Sequence, residues 1–333
     1  MFIVLEGTDA SGKSSIAAAI KEQLRSESPA SRIHEFHKGR PEELTRRWVL
    51  HEYAVDIESI DWTKELAVAD RWHWGECTYA KLKRPQTNTD GYGLLGIAGW
   101  RWVELFMASR GMAQFWVYQP LDVIKKRILS RGDDFVDVEE MEEILSLYES
   151  TQAKTHSIQA KIEVPDGEKY VKSVASAIIT AAAERADDAA GIAAFPEYIG
   201  PARPRVLLIG DKRKDPTETI LPFMPVGGNS GDYLLNALPE PLWRDVGIIN
   251  SEDFSGERLD ILLEVLHWPK IIVLGRLADR HVKTKALCAQ EYIVFPHPQY
   301  VRRFHHADKK LYGEAMQSYA YGIDERYVNW ILP

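Results

Sequence analysis

The sequence predicts an α/β protein of two domains, each a parallel sheet flanked by helices. Six short runs, 2–5, 66–69, 115–118, 206–209, 271–274 and 292–295, are apolar without alternation, as strands covered on both faces must be. Stretches with helical spacing of apolar residues lie between them, the order expected of a parallel sheet. At 333 residues the chain is long enough for two cores.

Taken in order, run 2–5 stops at a glycine-rich turn, and Ile16, Ala19, Ile20, Gln23 and Leu24 then repeat at helical spacing. Run 66–69 stops at Asp70-Arg71. Run 115–118 stops at Gln119-Pro120 and is followed by the helical set Val123, Ile124, Arg127, Ile128. Val171, Val174, Ala175, Ile178 and Ile179 predict an amphipathic helix that closes a first domain spanning 1–185. Residues 186–204, rich in Ala, Gly and Pro, are expected to be a linker. The second domain, 205–333, opens with run 206–209 ending at Gly210-Asp211. Run 271–274 ends at Gly275, and run 292–295 ends at Pro296-His297.

Composition narrows the function classes. No run of about 18 apolar residues exists, so no membrane span is expected. The opening residues form a strand rather than a signal peptide, and the expected location is cytoplasmic. Cys77 and Cys288 lie in different halves and predict neither a metal cluster nor a disulfide framework. The net charge is −8, with the acidic excess confined to the first 200 residues, so neither half is a globally basic nucleic-acid binder. A local binding groove remains compatible with this.

Gly7-Thr8-Asp9-Ala10-Ser11-Gly12-Lys13-Ser14 fits G-x-x-x-x-G-K-[ST] at every fixed position, between a strand and a helix. Glycines let successive backbone N–H groups curl around a phosphate, and the helix dipole favours the anion. Lys13 is expected on the β- and γ-phosphates, and the Ser14 hydroxyl on Mg²⁺. Gly7, Asp9, Ser11, Gly12 and Ser15 complete the candidate phosphate-binding set. The stretch from Phe2 to Ser15 resembles the opening of thymidylate kinases, in which Glu-Gly precedes an acidic residue within the loop. The resemblance implies that Asp9 helps hold the acceptor's sugar. With Ala10 at the next position, it also implies that a catalytic arginine comes from the lid.

Asp70-Arg71-Trp72-His73-Trp74-Gly75-Glu76-Cys77-Thr78-Tyr79 is similar to that family's Asp-Arg segment. Asp70 is then expected near Mg²⁺ and the transferred phosphoryl group, with Arg71 aimed at a phosphate. Tyr79 matches a family tyrosine, but Ala80 stands where a thymine-reading Gln is usual. Lys38 and Arg40 are candidates for acceptor phosphate or are solvated charges; Trp72 and Trp74 are candidates for stacking on a base or are core residues. Arg127 and Arg131 share a helix face at the spacing of a thymidylate kinase lid and would meet transition-state charge. Asp133 and Asp134 supply the acidic continuation, and Tyr148 matches a further family position. The resemblance covers about 1–185.

Residues 205–304 resemble, more weakly, the uracil-DNA glycosylase superfamily. The likeness is carried by Gly210-Asp211, Pro222-Phe223, Gly228-Asn229-Ser230-Gly231, Leu274-Gly275 and His297-Pro298. It implies a pocket for a flipped base, with Phe223 stacking, His297 hydrogen-bonding, Asp211 where a water-activating acid can stand, and Asn229 and Ser230 in the turn. Lys212-Arg213-Lys214 replaces the usual residues after the acid, so binding is expected to outlast excision.

The expected function is ATP- and Mg²⁺-dependent phosphoryl transfer to a thymidylate-like deoxynucleoside monophosphate. The alternative acceptor is a hydroxyl on a modified base in DNA, 5-hydroxymethyluracil, presented by the second domain. A third reading is a nucleotide-switched DNA-binding module. The family resemblance also admits a homodimer.

Overall fold

A computed structural model describes all residues except 89, 132–136, 156–157, 166–167, 213–218, 286–289 and 333. In chain order the elements are β1 (Phe2–Glu6), α1 (Lys13–Glu27), β2 (Ile33–Phe36), α2 (Arg46–Glu58), β3 (Leu66–Asp70), α3 (Trp74–Lys83), α4 (Gly96–Ser109), β4 (Ala113–Tyr118), α5 (Leu121–Arg131), α6 (Met141–Gln152), β5 (Ile158–Glu163) and α7 (Glu168–Ala193). They continue with β6 (Val206–Gly210), α8 (Ser230–Ala237), α9 (Glu240–Arg244), β7 (Val246–Asn250), α10 (Gly256–Val265), β8 (Lys270–Leu274), α11 (Arg276–Thr284), β9 (Tyr292–Phe295), α12 (Pro298–Phe304) and α13 (Lys309–Tyr321).

The chain forms two compact units that are discontinuous in sequence: 1–44, 60–96 and 110–188, and then 45–59, 97–109 and 189–333. The first holds a five-stranded sheet in the order β2-β3-β1-β4-β5, parallel throughout. Its core packs Ile16, Ile20 and Leu24 of α1 and Ala175, Ile178 and Ala182 of α7 with Ile3, Leu5, Phe115 and Val117 of the central strands. β1, fully buried, sits in the middle, so its carboxyl end is where helices from both sides leave a crevice.

The second unit holds a four-stranded parallel sheet, β7-β6-β8-β9. Two helices from within the expected first domain belong here. Arg101 of α4 donates to Leu235 O (2.6 Å) and Leu238 O (2.8 Å), and Trp102 Nε1 to Pro222 O (2.9 Å). Arg46 of α2 pairs with Asp232 at 2.9 Å, and Glu58 accepts from Ile220 N at 2.9 Å. The expected linker also differs: α7 continues to Ala193, and Ala189 and Ile192 are buried in the second core. Ala-rich sequence is a good helix former, which composition alone reads as a break. All six strands expected from the sequence form. The three not anticipated are β2 and β5, polar strands at the sheet's edges, and β7, whose apolar run is interrupted by Gly247. Among the described residues no helix is long and apolar enough to cross a membrane.

Candidate active site at the carboxyl ends of the first sheet

β1 enters the glycine loop at Gly7, whose φ is +145°. A Cβ there would lie 2.3 Å from Val117 O of β4, so only glycine lets the loop leave the sheet this close to its neighbour. Ala10 (φ +58°) and Gly12 (φ +100°) complete the left-handed path into α1, with Gly12 at the helix N-cap. The turn therefore opens its N–H groups at a helix N-terminus, the arrangement that receives phosphate.

Lys13 is buried, and its Nζ donates to Thr8 O at 2.6 Å, folding the ammonium back across the loop. Burial, reinforced by the Arg71 charge, lowers its pKa to about 8. The hydroxyls of Thr8 and Ser11 are buried and have no hydrogen-bond partner among the described residues. Ser14 Oγ donates to Asp70 Oδ2 at 2.7 Å, and Asp70 Oδ1 is buried without a partner. Ser15 is exposed on the first turn of α1. From α5, Arg127 donates to Ala10 O at 2.9 Å, which brings a guanidinium to the loop. Arg131 ends α5, but its side chain and the acidic continuation at 133–134 lie outside the described residues.

Beyond β3 a second group forms. Arg71 ion-pairs with Asp9, and Tyr79 OH donates to Asp9 Oδ2 at 3.0 Å. The Arg71 guanidinium also stands 5.3 Å from the centre of the Tyr79 ring. Burial raises the Tyr79 phenol well above its ordinary range, so it stays a neutral donor. Tyr148 is fully buried behind it, stacked on Trp116. A cleft of about 240 Å³ lies beside Ser14 and Asp70, lined also by Lys21, Glu35, Phe36 and His37.

Two expectations are corrected. Trp72 and Trp74 are 1% and 0% exposed: Trp72 packs against Phe2 and Phe36, and Trp74 against Trp116 and Tyr148. They are core residues and offer no face to a base. Lys38 lies over the outer edge of this cluster, 5.5 Å from the Trp72 ring, while Arg40 is exposed on the following loop. A residue the sequence did not single out is Glu6. It is fully buried at the end of β1, and its Oε1 accepts from the backbone N–H groups of Trp72 and Trp74, each at 3.0 Å. A charged residue at the end of an otherwise apolar strand was the available signal.

The strand ends of the second unit form a separate cluster. The Phe223 ring packs closely on Gly210, where a Cβ would come within 2.3 Å of its edge. Asn250, 1% exposed at the end of β7, borders the same glycine. His297 packs on Gly275 and caps α12, its Nδ1 accepting from Gln299 N at 3.2 Å; burial lowers its pKa and keeps the ring neutral. Asp211 Oδ1 lies 3.2 Å from His281 Nδ1, within ion-pair distance but without hydrogen-bond alignment. Asn229 is engaged within the fold: it caps α8 by accepting from Asp232 N (2.8 Å) and donates to Met224 O (2.7 Å). Ser230 is the first residue of that helix. Asn250 and His281 were missed because β7 carried no motif and the one that enters α11 stops at Ala278.

No family model matches the sequence, and no curated protein does. Among solved structures the chain is similar to the YorR protein of Bacillus subtilis in complex with phosphorylated GDP (22% identity, 54% of this chain and 94% of that one, TM-score 0.40). It is also similar to deoxyadenosine kinase from M. mycoides with bound dCTP (15%, 54% and 99%, TM-score 0.36) and to Chaetomium thermophilum Kti12 in complex with ADP-AlF3 (15%, 54% and 98%, TM-score 0.34).

Proposed function

We propose that the first unit transfers the γ-phosphoryl group of ATP to a thymidylate-like deoxynucleoside monophosphate. One observation carries the reading: the glycine loop with Lys13, the Ser14–Asp70 pair and the Asp9–Arg71–Tyr79 group all gather at the carboxyl ends of β1 and β3. Donor and acceptor chemistry then share one sheet edge.

Lys13 turns from Thr8 O to the β- and γ-phosphates, and Arg127, already beside Ala10, meets the charge that spreads over the transferred group. Arg71 holds the acceptor phosphate, and Asp9 and Tyr79 fix the guanidinium. An acceptor phosphate oxygen attacks the γ-phosphorus as its bond to the β,γ-bridging oxygen breaks, leaving ADP. The nucleophile is already ionised, so no general base is required. Ser14 and Asp70 suit magnesium, since a hydroxyl and a carboxylate with a buried unpartnered oxygen are the hard donors it takes. When bound, the ion neutralises charge on the β- and γ-phosphates.

A second reading keeps the donor and changes the acceptor to the hydroxyl of 5-hydroxymethyluracil in DNA, with the second unit binding the base. It is favoured by α12, where Tyr300 and Phe304 are 50% and 68% exposed with ring centroids 4.9 Å apart, and Arg302 and Arg303 lie on the same short helix. Exposed aromatics interleaved with cations suit a nucleic-acid strand. Asp70 then serves as general base for the hydroxyl.

The test supplies [γ-³²P]ATP and Mg²⁺ with dTMP, 5-hydroxymethyl-dUMP or duplex DNA containing hydroxymethyluracil. Label in dTMP is the expected result. Label only in DNA replaces the first reading by the second, and ATP hydrolysis without labelled acceptor overturns both.

A further inference from the structure

The turn after β3 follows a backbone path that its sequence does not favour. Arg71 has φ +73°, a left-handed conformation that costs a non-glycine residue about 1–3 kcal/mol unless its surroundings hold it. Three hydrogen bonds do so. Arg71 N donates to Leu5 O at 2.9 Å, and the next two are the 3.0 Å bonds from Trp72 N and Trp74 N to the single oxygen Glu6 Oε1. Glu6 therefore fastens the residues that follow Arg71. Its second oxygen, Oε2, is buried with no partner among the described residues. Aligning the core rings of Trp72 and Trp74 does not itself require a carboxylate, because their side chains are held by Phe2, Phe36 and Trp116.

We propose that Glu6 is a positioning residue: by clamping the turn from Arg71 to Trp74 it delivers the Arg71 guanidinium to Asp9, and so sets acceptor binding without touching either substrate. The inference rests on the phosphotransfer reading for its catalytic consequence but not for its geometry. The separation between the two substrates follows from the connections. Glu6 hydrogen-bonds the acceptor-side turn, whereas Lys13, Ser14 and Arg127 make hydrogen bonds that do not include it. The charge of Glu6 also acts on Lys13, and because Glu6→Ala and Glu6→Gln both remove that charge, their difference reports the clamp alone. Glu6→Ala leaves two buried N–H groups without an acceptor and frees Arg71; Glu6→Gln keeps an oxygen in place for both.

The first experiment is a double-mutant cycle on kcat/KM for dTMP with ATP saturating. Glu6→Ala is expected to lower it on the order of 10-fold to 100-fold, mainly through KM for the acceptor, with KM for ATP within about 2-fold of wild type and Glu6→Gln near wild type. In an Arg71→Ala background, Glu6→Ala is expected to add no further loss. Full additivity, or equal damage to both KM values, overturns the proposal. A second measurement does not require turnover. In the ¹⁵N-edited spectrum of arginine Nε–Hε groups, the Arg71 resonance, assigned by its loss in Arg71→Lys, is expected to move to the solvent-exposed position in Glu6→Ala and to stay in Glu6→Gln. A resonance unmoved in Glu6→Ala overturns the clamp. If the wild-type protein labels no acceptor while this resonance moves as expected, the phosphotransfer reading fails and the clamp stands. Should Glu6→Ala not fold, Glu6→Asp, one methylene too short to reach both N–H groups, replaces it in both measurements.

Discussion

The strand ends of the two sheets differ in what they leave unsatisfied. At the carboxyl end of β1 the hydroxyls of Thr8 and Ser11 and one oxygen of Asp70 are buried without partners, and Lys13 rests on a backbone carbonyl. Burying polar groups in this way is unfavourable, and a polyanion with its cation would relieve it. At the carboxyl end of β6 most polar groups are occupied by the fold, while Asp211 Oδ1 is buried without a hydrogen bond among the described residues, 3.2 Å from His281 Nδ1. Asn229 caps a helix, Ser251 Oγ donates to Asp211 O at 3.0 Å, and Lys285 donates to Ser251 O and Phe254 O. Beside that Asp211 oxygen stand an aromatic ring packed on a glycine and a neutral histidine, His297. The first edge leaves more polar groups unpaired, and the second is dominated by the packing of a ring on the strand backbone.

The largest predicted effect breaks that comparison if it fails. Lys13→Ala is expected to lower the rate of phosphoryl transfer by at least about 10³-fold, the scale of losing a charged transition-state contact. Phe223→Ala should leave transfer to free dTMP unchanged. Initial rates with labelled ATP check both, and a comparable loss in the two variants would show that the edges act as one site. Deleting residues 201–333 is a poor substitute for Phe223→Ala. That deletion removes the partners of α2 and α4 at Asp232, Leu235, Leu238 and Pro222.

The next effect concerns Glu6 itself. Burial raises its pKa from 4.5 to about 7, with His73, the N–H groups of Trp74 and Trp72, and Lys13 pulling the other way. A carboxyl whose folded pKa is raised stabilises the fold fully below its unfolded value and loses that contribution as pH climbs through the folded one. A shift of this size corresponds to about 3 kcal/mol. Glu6→Gln, which carries no charge, should therefore gain about 3 kcal/mol over wild type between pH 4.5 and just above pH 7. Urea denaturation at several pH values measures it, and a constant difference between the two proteins would sink the prediction.

Much of this site was legible in the sequence because its chemistry is local. The glycine loop, Lys13 and Ser14 lie within eight residues, and Asp70-Arg71 ends an apolar run. Strands buried on both faces announce themselves the same way, whereas edge strands such as β2, with one polar face, do not. The aromatic residues show where reading stops. Trp72 and Tyr79 stand in one motif, yet the first is sealed against Phe2 and the second reaches Asp9, a difference set by packing partners distant in sequence. The membership of α2 and α4 was hidden for the same reason, since single contacts such as Trp102 to Pro222 span more than a hundred residues.

A smaller effect tests the second edge alone. Gly210→Ala places a Cβ 2.3 Å from the Phe223 ring and must displace it, at a cost of about 2 kcal/mol. Thermal unfolding should report that loss while transfer to free dTMP is preserved. If the variant is as stable as wild type, the ring is not held against the strand and that contrast between the edges disappears.

The smallest effect sharpens the description of the first edge. Burial, with Arg71 adding to it, lowers the Lys13 pKa from 10.5 to about 8, so at pH 8 about half of the nucleotide-free protein carries a neutral amine there. A bound triphosphate adds its negative charge to that of Asp70, Asp9 and Glu6 around the buried ammonium, and the Lys13 pKa must rise on binding. The phosphates of ATP are already ionised at this pH and neither take up nor release protons. Binding should therefore draw about half a proton from the buffer at pH 8, rising towards one proton at pH 9. Calorimetry in two buffers of different ionisation enthalpy gives that number directly. A binding enthalpy independent of buffer at pH 8 would mean that Lys13 is fully charged before the nucleotide arrives, and that the loop is less starved of counter-charge than its buried, unpartnered groups imply.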